Sequence, residues 1–221
     1  FTTARLKASH AHTWFVGPHD IGMLVGGGLL ATDGSFPFTD TNGIDRIRDH
    51  NAALAFEGLA RVAARIGGVH RVDLLAEGAW DRCEIGGLEQ YPSTTAQQRT
   101  TRAVVRASWD GPPAFGSAGW SRASAFYRRL GFAYEDQAPP SGPPAATTLI
   151  AHGFGADAAT EGILRPWLAL SGGLSATHDR GESYRLGGAS GSPSRTAVSG
   201  RVGARFGPFC QRFGATVDLR V

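Results

Sequence analysis

The feature that most constrains this chain is a two-residue alternation sustained over long stretches. In "RTAVSGRVGARF" (195–206), Thr196, Val198, Gly200, Val202, Ala204 and Phe206 share one parity, and Ala197, Ser199, Arg201, Gly203 and Arg205 share the other. After "GPFC", the segment "QRFGATVDLRV" repeats the scheme, with Phe213, Ala215, Val217, Leu219 and Val221 alternating with Arg212, Gly214, Thr216, Asp218 and Arg220. A period of two belongs to a β-strand, whose successive side chains point to opposite faces. Two long strands, each with an apolar and a polar face, therefore meet at a short turn.

The same pattern runs through the chain. In "GVHRVDLLAEGAWDR" (68–82), Val72, Leu74, Ala76, Gly78 and Trp80 oppose Arg71, Asp73, Glu77 and Asp81. In "TTRAVVRASWDG" (100–111), Ala103, Val105, Ala107 and Trp109 oppose Arg102, Arg106, Ser108 and Asp110. "AALAFEGLARVAARIG" (52–67) holds good helix formers, but its parity favours a strand with Glu57, Arg61 and Arg65 on one face. "ILRPWLALSGGLSATHD" (163–179) alternates too, although Pro166 cannot donate to a strand ladder. Ten strands follow, over 4–16, 20–32, 52–66, 69–82, 99–110, 117–134, 146–156, 162–178, 195–207 and 210–221.

Connections alternate in length. "GPH", "GG", "GPPAFG", "DAATE" and "GPF" are short and rich in turn residues, whereas 33–51, 83–98, 135–145 and 179–194 are longer and polar. An even strand count with such connections describes an all-β, up-and-down antiparallel barrel of about ten strands, within a range of about eight to twelve. It forms a single domain over 1–221, with both termini on the side of the long connections. No window of 18 apolar residues suggests a membrane helix. Phe1 begins directly in an alternating segment, so no signal peptide is read there. A net charge of +3 with no basic run argues against nucleic acid.

Parity alone does not say which face looks inward. A soluble barrel or sandwich buries its apolar face, and a membrane barrel turns it to lipid. The ten candidates span 11 to 18 residues, against about 5–6 for an average soluble strand and about 9–11 for a tilted membrane strand. Their apolar face is rich in Ala, Gly, Leu and Val, with Trp14, Trp80, Trp109, Tyr134 and Phe206 near strand ends, where interfacial aromatics belong. The polar face carries Arg61, Arg65, Arg71, Asp73, Glu77, Arg102, Arg106, Asp110, Arg201, Arg205, Arg212 and Asp218 as candidate lumen-lining residues. Mixed charges on neighbouring strands can pair across them, and Arg suits this because its fork meets a carboxylate bidentately. Lys7 is the sole lysine. On this reading Val198, Val202, Phe206, Phe213, Val217 and Leu219 face lipid.

The end of the chain carries a resemblance. "RFGATVDL" fits the terminal assembly signal of bacterial outer-membrane β-barrel proteins at Arg212, Gly214, Val217 and Leu219, with Val221 where an aromatic usually stands. The resemblance covers the whole chain as architecture and reaches no subfamily. It implies residence in the bacterial outer membrane, with membrane lipid, lipopolysaccharide and other envelope proteins as partners. It also implies that the final strand pairs with one near Phe1.

Candidate chemistry is sparse, and neither a cofactor nor a metal is expected. His10 and His12 share a strand face, but no Cys or carboxylate completes a metal set. "DTNGID" offers Asp40, Asn42 and Asp45 as oxygen donors, with a spacing that departs from a calcium loop and reads as an Asx-rich turn. "VGGG" (25–28) reads as strand. Ser175, His178, Asp179, Glu182 and Ser183 gather at a strand end, yet adjacent His and Asp in a strand point to opposite faces and make no ready triad. Cys83 and Cys210 fall at opposite strand ends, too far apart to bridge. The preferred reading is a non-enzymatic membrane barrel, structural or a narrow Arg-lined pore. A soluble barrel holding a small apolar ligand and a surface hydrolase stand as the alternatives.

Overall fold

The computed structural model describes residues 2–39, 42–48, 50–88, 91–140, 142–185, 190–207 and 214–215. In chain order the strands are β1 (Thr3–Val16), β2 (His19–Thr32), β3 (Phe36–Thr39), β4 (Asp45–Arg48), β5 (Ala53–Ile66), β6 (His70–Glu84), β7 (Gly87–Leu88) and β8 (Tyr91–Pro92). They continue with β9 (Gln97–Gly111), β10 (Gly119–Asp136), β11 (Ala145–Arg165), β12 (Leu168–Arg185), β13 (Ser194–Phe206) and β14 (Gly214–Ala215). No helix occurs among the described residues.

Nine long strands and the two-residue β14 form one sheet in the order β1-β2-β5-β6-β9-β10-β11-β12-β13-β14. Every pairing in it is antiparallel. Chain neighbours are sheet neighbours, as alternating strands joined by local turns require. The sheet is not closed among the described residues: β1 pairs with β2 alone. Of the final strand expected over 210–221, only Gly214 and Ala215 are described; Cys210, Arg212, Phe213, Val217, Asp218 and Leu219 lie outside the described residues.

Several boundaries differ from the sequence reading. β11 runs straight through "DAATE", and its turn falls at Pro166–Trp167. Asp157 and Thr160 are held in the ladder by hydroxyl bonds from Ser124 and Ser121 on β10, whereas Pro166 has no N–H to give. β12 extends to Arg185, so His178, Asp179, Glu182 and Ser183 lie within a strand. The connections 33–51 and 83–98 each contain a small hairpin, β3–β4 and β7–β8. "DTNGID" falls at the first of these, where Thr39 Oγ1 donates to Asp45 Oδ1 at 2.8 Å; Asp40 lies outside the described residues. "VGGG" is regular strand within β2.

The sheet has almost no interior. Among the described residues, Ala96 and Ala169 are the buried hydrophobic ones, and no large side chain is fully buried. The accessible area is 14,924 Å² for a 23.2 kDa chain, where a folded soluble monomer of this mass exposes about 9,700 Å². The long connections are better sheltered. Ser93 and Asp136 are buried together, with Ser93 Oγ donating to Asp136 Oδ2 at 3.1 Å. Thr95 Oγ1 donates to Asp136 Oδ1, and His50 Nε2 donates to the Ala96 carbonyl at 2.8 Å. This clasp ties three consecutive long connections at one end of the sheet.

Candidate functional site

The registers sort every side chain of the long strands onto one of two faces. Across β2, β5, β6 and β9 the paired positions Leu29–Phe56, Phe56–Trp80, Val62–Leu74 and Ala76–Val105 put large apolar groups on one side. This apolar face is open: Leu6 is 66 % exposed, Leu74 50 %, Val105 51 %, Leu174 70 % and Val202 72 %. Its aromatics stand at both strand ends and between them. Trp14, Trp109 and Phe206 stand near the short turns, with Phe206 stacked on Trp167 at 6.2 Å. Phe56 meets Trp80 at 5.5 Å towards the long connections, and Tyr127 meets Phe154 at 5.0 Å in mid-strand. Tyr134, expected among them, lies instead on the polar face, because β10 pairs it with Gln98 and Thr147.

The polar face carries the charges. Arg61, Arg65, Arg71, Asp73, Glu77, Arg102, Arg106, Asp110, Arg201 and Arg205, all singled out from the sequence, lie on it. The guanidinium of Arg61 grips Asp73, with Nε donating at 2.9 Å to Oδ2, and Arg71 stands 4.0 Å from the same carboxylate. Arg65 faces Asp20 at 3.8 Å, Arg122 meets Asp110 directly across β9–β10, and Arg205 donates to Glu161 at 2.7 Å. Arg102, Arg106 and Glu77 make no ion pair among the described residues. Arg212 and Asp218 lie outside them.

Among the described residues three ion pairs skip a strand, and the sequence reading missed all of them: Arg205 on β13 reaches Glu161 on β11 past β12, and the other two cross a glycine. Lys7 on β1 and Glu57 on β5 flank Gly28 of β2 and meet at 2.7 Å. Arg128 on β10 and Asp179 on β12 flank Gly153 of β11 and meet at 2.8 Å. A Cβ at Gly28 would stand 2.8 Å from Glu57 Oε1, and one at Gly153 would stand 2.5 Å from both Arg128 Nε and Asp179 Oδ1. Glycine is thus the opening through which these two pairs reach, whereas Arg205 and Glu161 meet past Ser171 and Ala169. The signal was present as a glycine on the polar parity midway between opposite charges, but it is legible only once the register is known.

Strand-skipping pairs also fix curvature. Next-nearest strands lie about 9.6 Å apart in a flat sheet, and side chains bridge that span more readily on a concave face. A cavity of about 480 Å³ opens on the same face, lined by Lys7, Ser9, Gly26, Glu57, Glu77 and Arg102 from five successive strands. An opening walled by so many strands fits a sheet that bends toward its polar face.

The other candidate groups disperse. His178 lies on the apolar face, where its Nδ1 is 2.8 Å from Thr196 Oγ1, while Asp179 points to the polar face and is held by Arg128. Ser175 bonds Ser199 at 2.7 Å. His10 and His12 stack at 6.4 Å, and His12 meets Trp14 edge-on at 4.5 Å. No group of three potential metal-ligating His, Cys, Asp or Glu occurs among the described residues. No protein-family model and no curated protein matches this chain.

Proposed function

We propose that the chain is a membrane-spanning β-barrel of the bacterial outer membrane, whose polar face lines a narrow, arginine-bearing lumen and whose apolar face meets lipid. The observation that carries this reading is the division of the two faces: one holds the ion pairs while the other exposes Leu, Val, Phe and Trp to the surroundings. Water would penalise that apolar surface, and a bilayer would not. Val72, the register partner of Trp109, and Trp80 are eight residues apart on β6. That spans about 26 Å along the strand, and a tilt of about 40° makes it a band about 20 Å tall, close to the apolar height of outer-membrane barrels.

Closure falls to the final strand. β14 continues the antiparallel order, and β1 offers a free edge of matching direction; an unpaired edge is not tolerated in hydrocarbon. Arg102 and Arg106 make no ion pair among the described residues, and the arginines of this face favour anions in any conducted current. With so few strands the lumen is nearly filled by side chains, so the role is structural or that of a small pore.

The decisive experiment is fractionation: extraction only with detergent, and a gel mobility that changes on heating. A freely soluble monomer would overturn the reading. Closure is tested by disulfide trapping of Ala215→Cys with Ala4→Cys or Leu6→Cys in a chain lacking Cys83 and Cys210. A bond in one of the two pairs is expected, and none in either would leave the edge open.

A further inference from the structure

The apolar face carries a second, separate set of charges. Arg82 and Arg99 are register partners on β6 and β9. Both lie one same-face step beyond the Trp80–Thr101 pair, towards the long connections. Both are exposed, and neither makes an ion pair among the described residues. Like charges directly opposite on a sheet repel, and no carboxylate forms an ion pair with either among the described residues. The arrangement recurs two strands on. Arg129 pairs in register with His152, one same-face step beyond Tyr127 and Phe154, and Arg180 follows on β12. Of these, Arg180 alone has a carboxylate, Glu182 at 3.0 Å. At the opposite end of the apolar face stands a single arginine, Arg165 beside the β11 bulge.

We infer that this end of the apolar face is a binding belt for the phosphate groups of lipid headgroups, with the paired forks of Arg82 and Arg99 as its strongest site. The inference rests on the membrane reading above. Guanidinium forks bind phosphate oxygens bidentately, and an anion between two arginines turns their repulsion into attraction. Trp80 marks the interface where headgroups sit above acyl chains. The same surface is continuous with Leu74, Val105 and Phe154, which suits an occupant having both an acyl chain and a phosphate. The one-sided distribution also orients the barrel: the long connections emerge from the leaflet richer in phosphorylated headgroups.

The test uses the whole chain in phosphatidylcholine vesicles, with bromine on the acyl chains of one lipid at a time. Trp80 fluorescence is taken as the difference between the unmodified protein and Trp80→Phe. Brominated phosphatidate should quench it at a mole fraction about fivefold lower than brominated phosphatidylcholine does, the size expected for about one additional unit of headgroup attraction near 1 kcal/mol. Arg82→Gln with Arg99→Gln should abolish the preference while leaving the heat-dependent mobility shift intact, and the corresponding Lys pair should retain part of it. Equal quenching by the two lipids overturns the belt and leaves the barrel standing. So does an equal preference for brominated stearate, or full competition by millimolar inorganic phosphate. No quenching by any brominated lipid removes the membrane reading and the belt together. Should the glutamine variant fail to assemble, the headgroup preference of the unmodified protein still decides.

Discussion

The two faces of this sheet hold side chains by different means. On the polar face, charges between β5 and β10 pair with immediate neighbours, as Arg61 does with Asp73 and Arg122 with Asp110. At β1–β5 and β10–β12 they reach across a whole strand over Gly28 and Gly153, and at β11–β13 Arg205 reaches Glu161 past β12. On the apolar face no ion pair skips a strand among the described residues, and Gly58 on that face has open space above it. The contrast teaches that curvature is encoded on one side only. Pairs that skip a strand specify the order of three strands at once and pull the outer two together.

Exchanging a single residue between faces breaks the comparison most sharply. Val105 projects from the apolar face between Ala76 and Tyr127, whereas its neighbour Val104 lies on the polar face opposite Glu77. Val105→Arg should destabilise the folded state in bilayers by about 2–4 kcal/mol, the cost of a charge in the middle of a lipid-facing band. Val104→Arg gains the Glu77 carboxylate directly across one strand and faces Arg128 across the other, two opposing effects that should leave stability changed by less than about 1 kcal/mol. Urea titration of the vesicle-inserted chain measures both. Equal effects would mean that the two faces meet the same solvent.

Glycine substitutions test the curl itself. Gly153→Val drives a branched side chain into the gap through which Arg128 and Asp179 meet, and should cost about 1–3 kcal/mol by overpacking. Gly58→Ala adds a methyl group to open space and should be neutral or slightly stabilising, since an extended Ala loses less chain entropy than Gly. The midpoint of the heat-dependent mobility shift reports each variant. If Gly58→Ala proves the worse of the two, the polar face is not the crowded one.

How much of this was legible before the fold was seen follows from the same asymmetry. Parity exposed both faces of β5, β6, β9 and β13, because charges there alternate cleanly with Val, Leu and Ala. It failed on β10, where Phe126, Leu130, Phe132 and Tyr134 share the polar face with Arg122 and Arg128. Phe126 is accommodated because its ring lies over Gly155 of the next strand, and local alternation carries no trace of a neighbour's missing side chain. The "DAATE" segment looked like a turn by composition, yet the hydroxyls of Ser121 and Ser124 hold it in strand. The strand-skipping pairs were hidden for the same reason as Phe126. Each depends on register between segments far apart in sequence, and short-range pattern does not set register.

The smallest expected effect lies where the polar face ends, beyond the aromatic row and among the long connections. Asp136 closes β10 there as a buried carboxylate, unlike the exposed acids further down the face. The Thr95 hydroxyl, then that of Ser93 and the Ala138 amide, hold its carboxyl below the ordinary value despite the opposing effect of burial. A depressed carboxyl stabilises the clasp at pH values above the unfolded group's pKa of about 3.9, and that contribution is lost as pH falls through the lower folded value. Exchange of the Ala138 amide, which donates to Thr95 Oγ1 at 2.9 Å, should therefore stay slow at neutral pH and accelerate only in strong acid. Thr95→Val removes the largest cause of the depression, so opening should begin at a higher pH while the sheet amides of β5 and β6 keep their protection. Acceleration of clasp and sheet together would mean that the clasp is not an independent unit, and that the sheet's curvature depends on its loops as well as on its glycines.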